Sequence, residues 1–301
     1  MIEAQTSVDR AMGTMILKHE IDQTMHQRHR QIAVLFMLAI FAAACSLAGP
    51  RALLGDGPMQ ETYAGQTEGP SFDHGIFDKL LKAHVNDRGG VDYAGFKKDQ
   101  QKLTAYIRKV AAAPYDDMPR DEKLALLINA YNAFTIQLIL DYWDDGELES
   151  IRDIPVAKRW KHERWRVGDN TWSLDQIEHE NIRVHFIEPR IHWAVNCAAA
   201  SCPPLRNEAY TADRLDEQLK EQAHYVHDNP RWFRFDREEG VVSLTRLYLW
   251  YRADYEQVAD SMLAYAAQYA PDMRQALEAG EGPRIEWLDY SWKLNTQENM
   301  K

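Results

Sequence analysis

The chain has 301 residues, 45% hydrophobic and 27% charged, an ordinary balance for a globular protein with a sizeable core. Its formal net charge is −11 with no evident basic stripe, which argues against a nucleic-acid partner and gives no support for docking on an anionic membrane surface. Low-complexity tracts and internal repeats are not evident, so the length allows one large domain or two small ones.

The N-terminus reads as a targeting segment. Residues 32–44, IAVLFMLAIFAAA, form an unbroken apolar run preceded by Arg28 and Arg30 and followed by small residues. That is the order of a secretory signal, with Met25 fitting as its start and cleavage after Ala44 or Ala48. Two other readings stay open: a lipoprotein-like signal with lipidation at Cys45, and an uncleaved anchor, although the run is short for a full span. All three place the folded part outside the cytoplasm, in the periplasm or envelope, with membrane contact only through this segment. The expected organisation is an extension and signal or anchor over 1–48, a linker over 49–70, a single globular domain over 71–295 and a polar tail over 296–301. The linker expectation rests on Gly, Pro, Gln, Glu and Thr content.

Within the domain, Phe72, Ile76, Phe77, Leu80 and Leu81 predict a helix over 72–84. Arg88-Gly89-Gly90 is a turn, Val91-Asp92-Tyr93 a short extended piece, and 98–112 a helix. The strongest helix is expected over 119–142. Pro119 suits its first turn, Asp121 and Glu122 complement its dipole, and apolar residues surround it. Asn129 and Asn132 then fall in a buried helix, where they either satisfy loop backbone or orient a site group, because unmade buried hydrogen bonds cost about 1–3 kcal/mol each. A hairpin over 165–172 follows, then a capping box, Ser173 with Gln176, opening a helix over 174–185 that carries Glu178 and His179. Ile191, Trp193 and Val195 alternate and predict a strand over 190–196. Further on come a helix over 212–227 with His224 and His227 solvated, a hairpin over 233–243, a helix over 244–270 broken near Asp254, a short turn at 272–279, and a closing strand over 284–292. Trp160, Trp165 and Trp172 are expected to pack or line a groove, and Trp287, Tyr290 and Trp292 to be core. Helices and antiparallel hairpins mixed without strict alternation indicate an α+β class, helices packed on a mainly antiparallel sheet.

The densest chemistry is in RIHWAVNCAAASCPPLR, 190–206, which holds two of the three cysteines. Cys197 lies in a small-residue turn whose amides are suited to stabilising an anion. A thiolate there is a nucleophile if an imidazole or a helix N-terminus lowers its pKa. His192 and His179 are the candidate bases. Side-chain alternation puts His192 opposite Cys197 on a straight strand, so the two cooperate only if the chain turns at Asn196. His179 is the other route, with Glu178 or Asn129 as orienting group. Three alternatives stay open. Cys202, ahead of Pro203-Pro204, can take the nucleophile's role; Cys197 and Cys202 can form a structural disulfide outside the cytoplasm; and His179, His192, Cys197 and Cys202 can hold zinc, although their spacing matches no zinc signature. No cofactor or metal is otherwise indicated.

Five motifs occur in order: LINAYNAFTIQLIL (127–140), SIRDI (150–154), SLDQIEHENIR (173–183), RIHWAVNCAAASCPPLR (190–206) and LDYSWKLN (288–295). Together they resemble the family named domain of unknown function 547, over residues 75–295, with Trp193 where phenylalanine is usual. The resemblance implies a papain-like or transglutaminase-like α+β fold, and export agrees with many bacterial members. The functional expectation is a cysteine-dependent amide or thioester hydrolase or acyl transferase acting on peptide-like envelope substrates. The rival is a non-catalytic peptide- or protein-binding module with a structural Cys197–Cys202 pair.

Overall fold

The computed structural model describes residues 57–143 and 146–301. The apolar run 32–44, Met25, Cys45 and the expected cleavage positions lie outside the described residues. Residues 57–70, part of the stretch expected as a linker, are tied to the domain. Met59 is buried and exchanges two hydrogen bonds with Gln257, and Glu61 pairs with Arg120.

Helix α1, Gly75–His84, buries Phe77, Leu80 and Leu81. The segment expected to be extended at 91–93 makes only isolated bridges at Val91 and then turns into α2, Tyr93–Lys98, because Asp92 caps it by accepting from the Gly95 amide at 2.9 Å. Helix α3, Gln100–Val110, packs Leu103, Tyr106 and Val110 inward. Helix α4, Arg120–Tyr142, is buried along nearly its whole length, as an all-round apolar pattern requires. It is apolar and long enough to cross a membrane, but 89% of its most apolar window is buried inside the protein, and it serves as the core helix. Lys123 near its start keeps its charge in the interior by donating to the carbonyls of Tyr115 (2.5 Å) and Asp116 (2.7 Å).

Strands β1, Trp165–Val167, and β2, Asn170–Trp172, form the expected hairpin, with Trp165 opposite Trp172. Gly168 turns it at φ 57°, and a side chain there would press within 2.8 Å of the Ala113 carbonyl. Helix α5 starts at Leu174 with both capping-box hydrogen bonds of Ser173 and Gln176 in place, then widens into a π-helical turn over Ile177–Ile182. Such widenings recur at functional sites.

The strand expected over 190–196 is instead one turn of helix, α6, Ile191–Ala194, followed by extended backbone from Val195. The reason is its placement between two apolar clusters. Ile191 and Ala194 belong to the cluster around α4, and Trp193 to a second cluster with Trp232, Tyr248, Tyr255 and Tyr265. Burial on both sides gives a one-turn helix an alternation that imitates a strand.

Helix α7, Leu215–Asp228, comes after a 3-10 turn at Ala212–Arg214. His227, expected to be solvated, is buried, bonding the Ala223 carbonyl and the Tyr248 hydroxyl. Strands β3, Phe233–Asp236, and β4, Val241–Leu244, pair antiparallel. The long helix expected next is three helices: α8, Arg246–Trp250; α9, Arg252–Val258; and α10, Met262–Ala267, the last capped by Ser261. After α11, Pro271–Glu278, strand β5, Arg284–Trp287, adds to β4 in parallel. Parallel pairing follows from the helical crossover between the two strands. The class is α+β, with a two-stranded and a three-stranded sheet among the described residues, the second one mixed.

Residues 288–295 leave the sheet and form a strap between two loops. Ala200 donates to Lys293, Leu294 donates to Glu149, and Asn295 donates to Ala198, at 2.7–3.0 Å. The Ser150 hydroxyl donates to the Trp292 carbonyl at 2.6 Å. The tail expected over 296–301 is anchored by buried Met300.

Candidate functional site

The strap brings the motifs SIRDI, NCAAASC and LDYSWKLN into one place, and that place is Cys197. The chain turns after Asn196. Ala198 sits at φ 63°, a conformation that costs an alanine of order 1–3 kcal/mol. It is held because the Asn196 carboxamide oxygen accepts from the Ala198 amide at 2.8 Å, while its nitrogen donates to the Pro203 carbonyl at 2.7 Å. Asn295 donates to Asn196 at 3.1 Å and accepts from the Tyr93 hydroxyl at 2.6 Å. Asn132 completes the clamp, donating to the Ala194 carbonyl (3.0 Å) and accepting from the Asn196 amide (2.8 Å). A strained turn is thus over-determined by buried amides.

Cys197 and Cys202 are both free, Cys197 partly exposed and Cys202 buried. Their sulfurs lie 2.7 Å apart, outside the bonding distance of about 2.05 Å. The Cys197 amide donates to the Cys202 sulfur at 3.1 Å, and the Tyr290 hydroxyl lies 3.4 Å from the Cys197 sulfur. The hydrogen bond from Cys202 lowers the Cys197 pKa, and Tyr290 and the Ala199 amide assist against the opposing effect of burial. Burial pushes the Cys202 thiol well up, and its bond to Cys197 adds to this. Of the two thiols Cys197 is therefore the one favoured to ionise, with Cys202 keeping its proton and donating to it. Burial and then the two cysteines keep Tyr290 protonated.

Among the described residues no imidazole hydrogen-bonds Cys197. His192 donates from Nε2 to Asp254 at 2.8 Å and stacks on Tyr251 with ring centroids 3.7 Å apart; its Nδ1 is buried without a hydrogen-bond partner. The Arg183 guanidinium grips the same Asp254 carboxylate at 2.6 and 2.7 Å. Burial alone would raise the Asp254 pKa, but His192 and Arg183 outweigh it and hold it below the usual range. Tyr251 donates to Glu178 at 2.7 Å. His179 is buried, 3.9 Å from Asp175, and its ring stands 6.2 Å from that of Tyr251. Asn129 lies elsewhere, bonding both backbone groups of Tyr210 and the His74 ring.

Of the sequence candidates, Cys197 and Cys202 meet directly. Glu178 and His192 meet through Tyr251. Asn129 is committed to a loop. Among the described residues no group of three or more His, Cys, Asp or Glu side chains is set to hold a metal ion. Of the turn amides expected to face an oxyanion, those of Cys197, Ala198, Ala200, Ser201 and Cys202 donate elsewhere within the protein, and that of Ala199 bonds the Cys197 sulfur. The residues missed by sequence reasoning are Asp254, Arg183, Tyr251 and Tyr290. Tyr290 and Arg183 carried a signal, their places in the LDYSWKLN and SLDQIEHENIR motifs.

Residues 115–225 match the model of the family described as protein of unknown function, DUF547. The chain carries a DUF547 domain. No curated protein and no solved structure matches the chain. The matched span of the DUF547 domain includes both cysteines, Asn132, Glu178, His179 and His192, whereas Tyr251, Asp254 and Tyr290 lie beyond it.

Proposed function

We propose that this protein is a cysteine-dependent acyl transferase or hydrolase, acting outside the cytoplasm on amide or thioester groups of peptide-like substrates, with Cys197 as nucleophile. The observation carrying this reading is the asymmetry of the thiol pair: Cys197, the residue of the two that is partly exposed, is the one whose thiol pKa is lowered, and it sits on a strained, clamped turn. A thiolate is the reactive form of cysteine. In this reading the Cys197 sulfur bonds the acyl carbon, and the carbon–nitrogen or carbon–sulfur bond of the substrate breaks. The leaving group takes the Tyr290 proton. Water, or an acceptor amine, then releases the acyl group from the thioester and returns a proton to Tyr290. Cys202 holds the charge on Cys197 before attack. The Arg183–Asp254–His192 cluster positions Tyr251 and, through it, Glu178. The family resemblance supports reading the surrounding helices and strap as papain-like or transglutaminase-like, and the apolar run at 32–44 supports export.

The test is acylation by para-nitrophenyl acetate. The expected result is a nitrophenolate burst with acetyl mapped to Cys197, absent in Cys197→Ala. Equal acetylation of that variant, or none of the wild type, rejects the reading. One observation favours the binding-module alternative: the two sulfurs are close enough that a small shift would join them. A protein isolated with both thiols oxidised and inert to acylation would select it.

A further inference from the structure

An aromatic track runs outward from the thiol pair. Tyr290, at the Cys197 sulfur, packs on Trp292 with ring centroids 4.8 Å apart, and Trp292 packs on Trp160 at 5.8 Å. Trp250 lines its inner side, 4.8 Å from Tyr290. Tyr290 and Trp292, expected as core, are only partly buried, and so is Trp160. A partly exposed row of rings beside a reactive sulfur is a surface that flat peptide groups can cover.

The outer end of the track is cationic. The Arg152 guanidinium stands 5.4 Å from the Trp292 ring centroid and that of Arg159 5.5 Å from Trp160, within cation–π range. Arg159 is fixed from behind, donating to the carbonyls of Ile154 (2.6 Å) and Arg152 (2.5 Å). Burial and then the like charge of Arg152 lower the Arg159 pKa, as expected for two cations held together. Neither forms an ion pair with a described residue, and the nearby Asp153 carboxylate instead caps the Ser150 amide at 2.9 Å. Across 152–166, Arg152, Lys158, Arg159, Lys161, Arg164 and Arg166 outnumber Asp153 and Glu163, in a chain of net charge −11. The overall acidity hides a local basic stretch.

We infer that this track is the substrate groove of the Cys197 site and that it takes an acidic peptide, laid over Trp160 and Trp292 with a carboxylate between Arg152 and Arg159. The inference rests on the proposed acyl-transfer reading for the role of Cys197, but peptide binding does not depend on it. Guanidiniums suit carboxylates because they are weakly hydrated and present several donors in one plane. The acidic remainder of the chain disfavours a nucleic acid, whose many phosphates would meet repulsion beyond the patch.

The test uses the full chain with Cys197→Ser, so that binding is read without turnover. Tryptophan emission is followed during titration with acetylated, amidated tripeptides Ala-Glu-Ala, Ala-Gln-Ala and Ala-Lys-Ala. The acidic peptide is expected to bind about tenfold tighter than the neutral one, the worth of one charge-assisted hydrogen bond, and the basic peptide most weakly. Arg152→Glu changes an exposed side chain, and should erase the preference while the far-UV circular dichroism stays that of the parent protein. Equal affinities, no binding at millimolar peptide, or a preference that survives Arg152→Glu overturns the inference. So does an oligothymidylate that displaces the acidic peptide and binds more tightly. Loss of acylation at Cys197 with acidic-peptide selectivity intact would instead reject the catalytic reading alone.

Discussion

Replacing Cys202 by alanine removes the donor that holds charge on Cys197, and the consequence can be worked through. Hydrogen bonds to charged groups contribute about 1.5–3 kcal/mol, and one pKa unit corresponds to about 1.4 kcal/mol. The Cys197 pKa should therefore rise by roughly one to two units. At a pH below the Cys197 pKa each unit cuts the thiolate fraction about tenfold, but a more basic thiolate is about threefold more nucleophilic. Alkylation of Cys197 in that pH range should thus slow about three- to tenfold, while thiolate absorbance followed against pH shows the full shift. Cys202→Ser keeps a hydroxyl donor and should recover most of the lowering. A Cys197 pKa that stays put or falls in Cys202→Ala would refute the view that Cys202 keeps its proton and donates to Cys197.

Asn132→Ala leaves the Ala194 carbonyl and the Asn196 amide unpaired in the interior. Urea unfolding should show a loss of about 2–5 kcal/mol, and a loss below about 1 kcal/mol would mean the clamp is not holding the turn. Asp254→Ala strips the carboxylate from buried Arg183. It should cost about 3–5 kcal/mol, as removing one partner of a buried ion pair does; near-neutral stability would contradict the described pairing. Burial lowers the pKa of His74 and of His227 from 6.5 to about 4. Between those values the unfolded chain binds more protons than the folded one, so stability is present above about pH 6.5 and is lost as pH falls toward 4. By pH 5 each histidine should cost about 2 kcal/mol relative to neutral pH, and a flat urea-unfolding stability from pH 7.5 to pH 5 would count against their burial in neutral form.

Helix α4 and the Ser173–Gln176 box were legible because their signals are local: apolar residues all round a helix, and two side chains three apart. The π-helical turn after that box was not, since nothing at 177–182 departs from ordinary helical composition. Segment 190–196 misled because a one-turn helix between two cores alternates like a strand. The site was half legible. Cys197 and Cys202 declare themselves by type and spacing. Asp254 does not, because its partners His192 and Arg183 lie 62 and 71 residues away and an aspartate inside a helical pattern normally reads as solvated. Tyr290 reaches Cys197 across 93 residues only because the strap bonds to the cysteine turn through backbone groups, which carry no sequence signature.

Whether Cys197, the partly exposed residue of the pair, is the reactive one is tested most directly by brief iodoacetamide labelling of the natively purified, unreduced protein, with both sites mapped by mass spectrometry. Cys197 should be modified rapidly at neutral pH, and Cys202 should stay unmodified until the protein is unfolded. Preferential labelling of Cys202, equal labelling of both, or labelling only after reduction would contradict it.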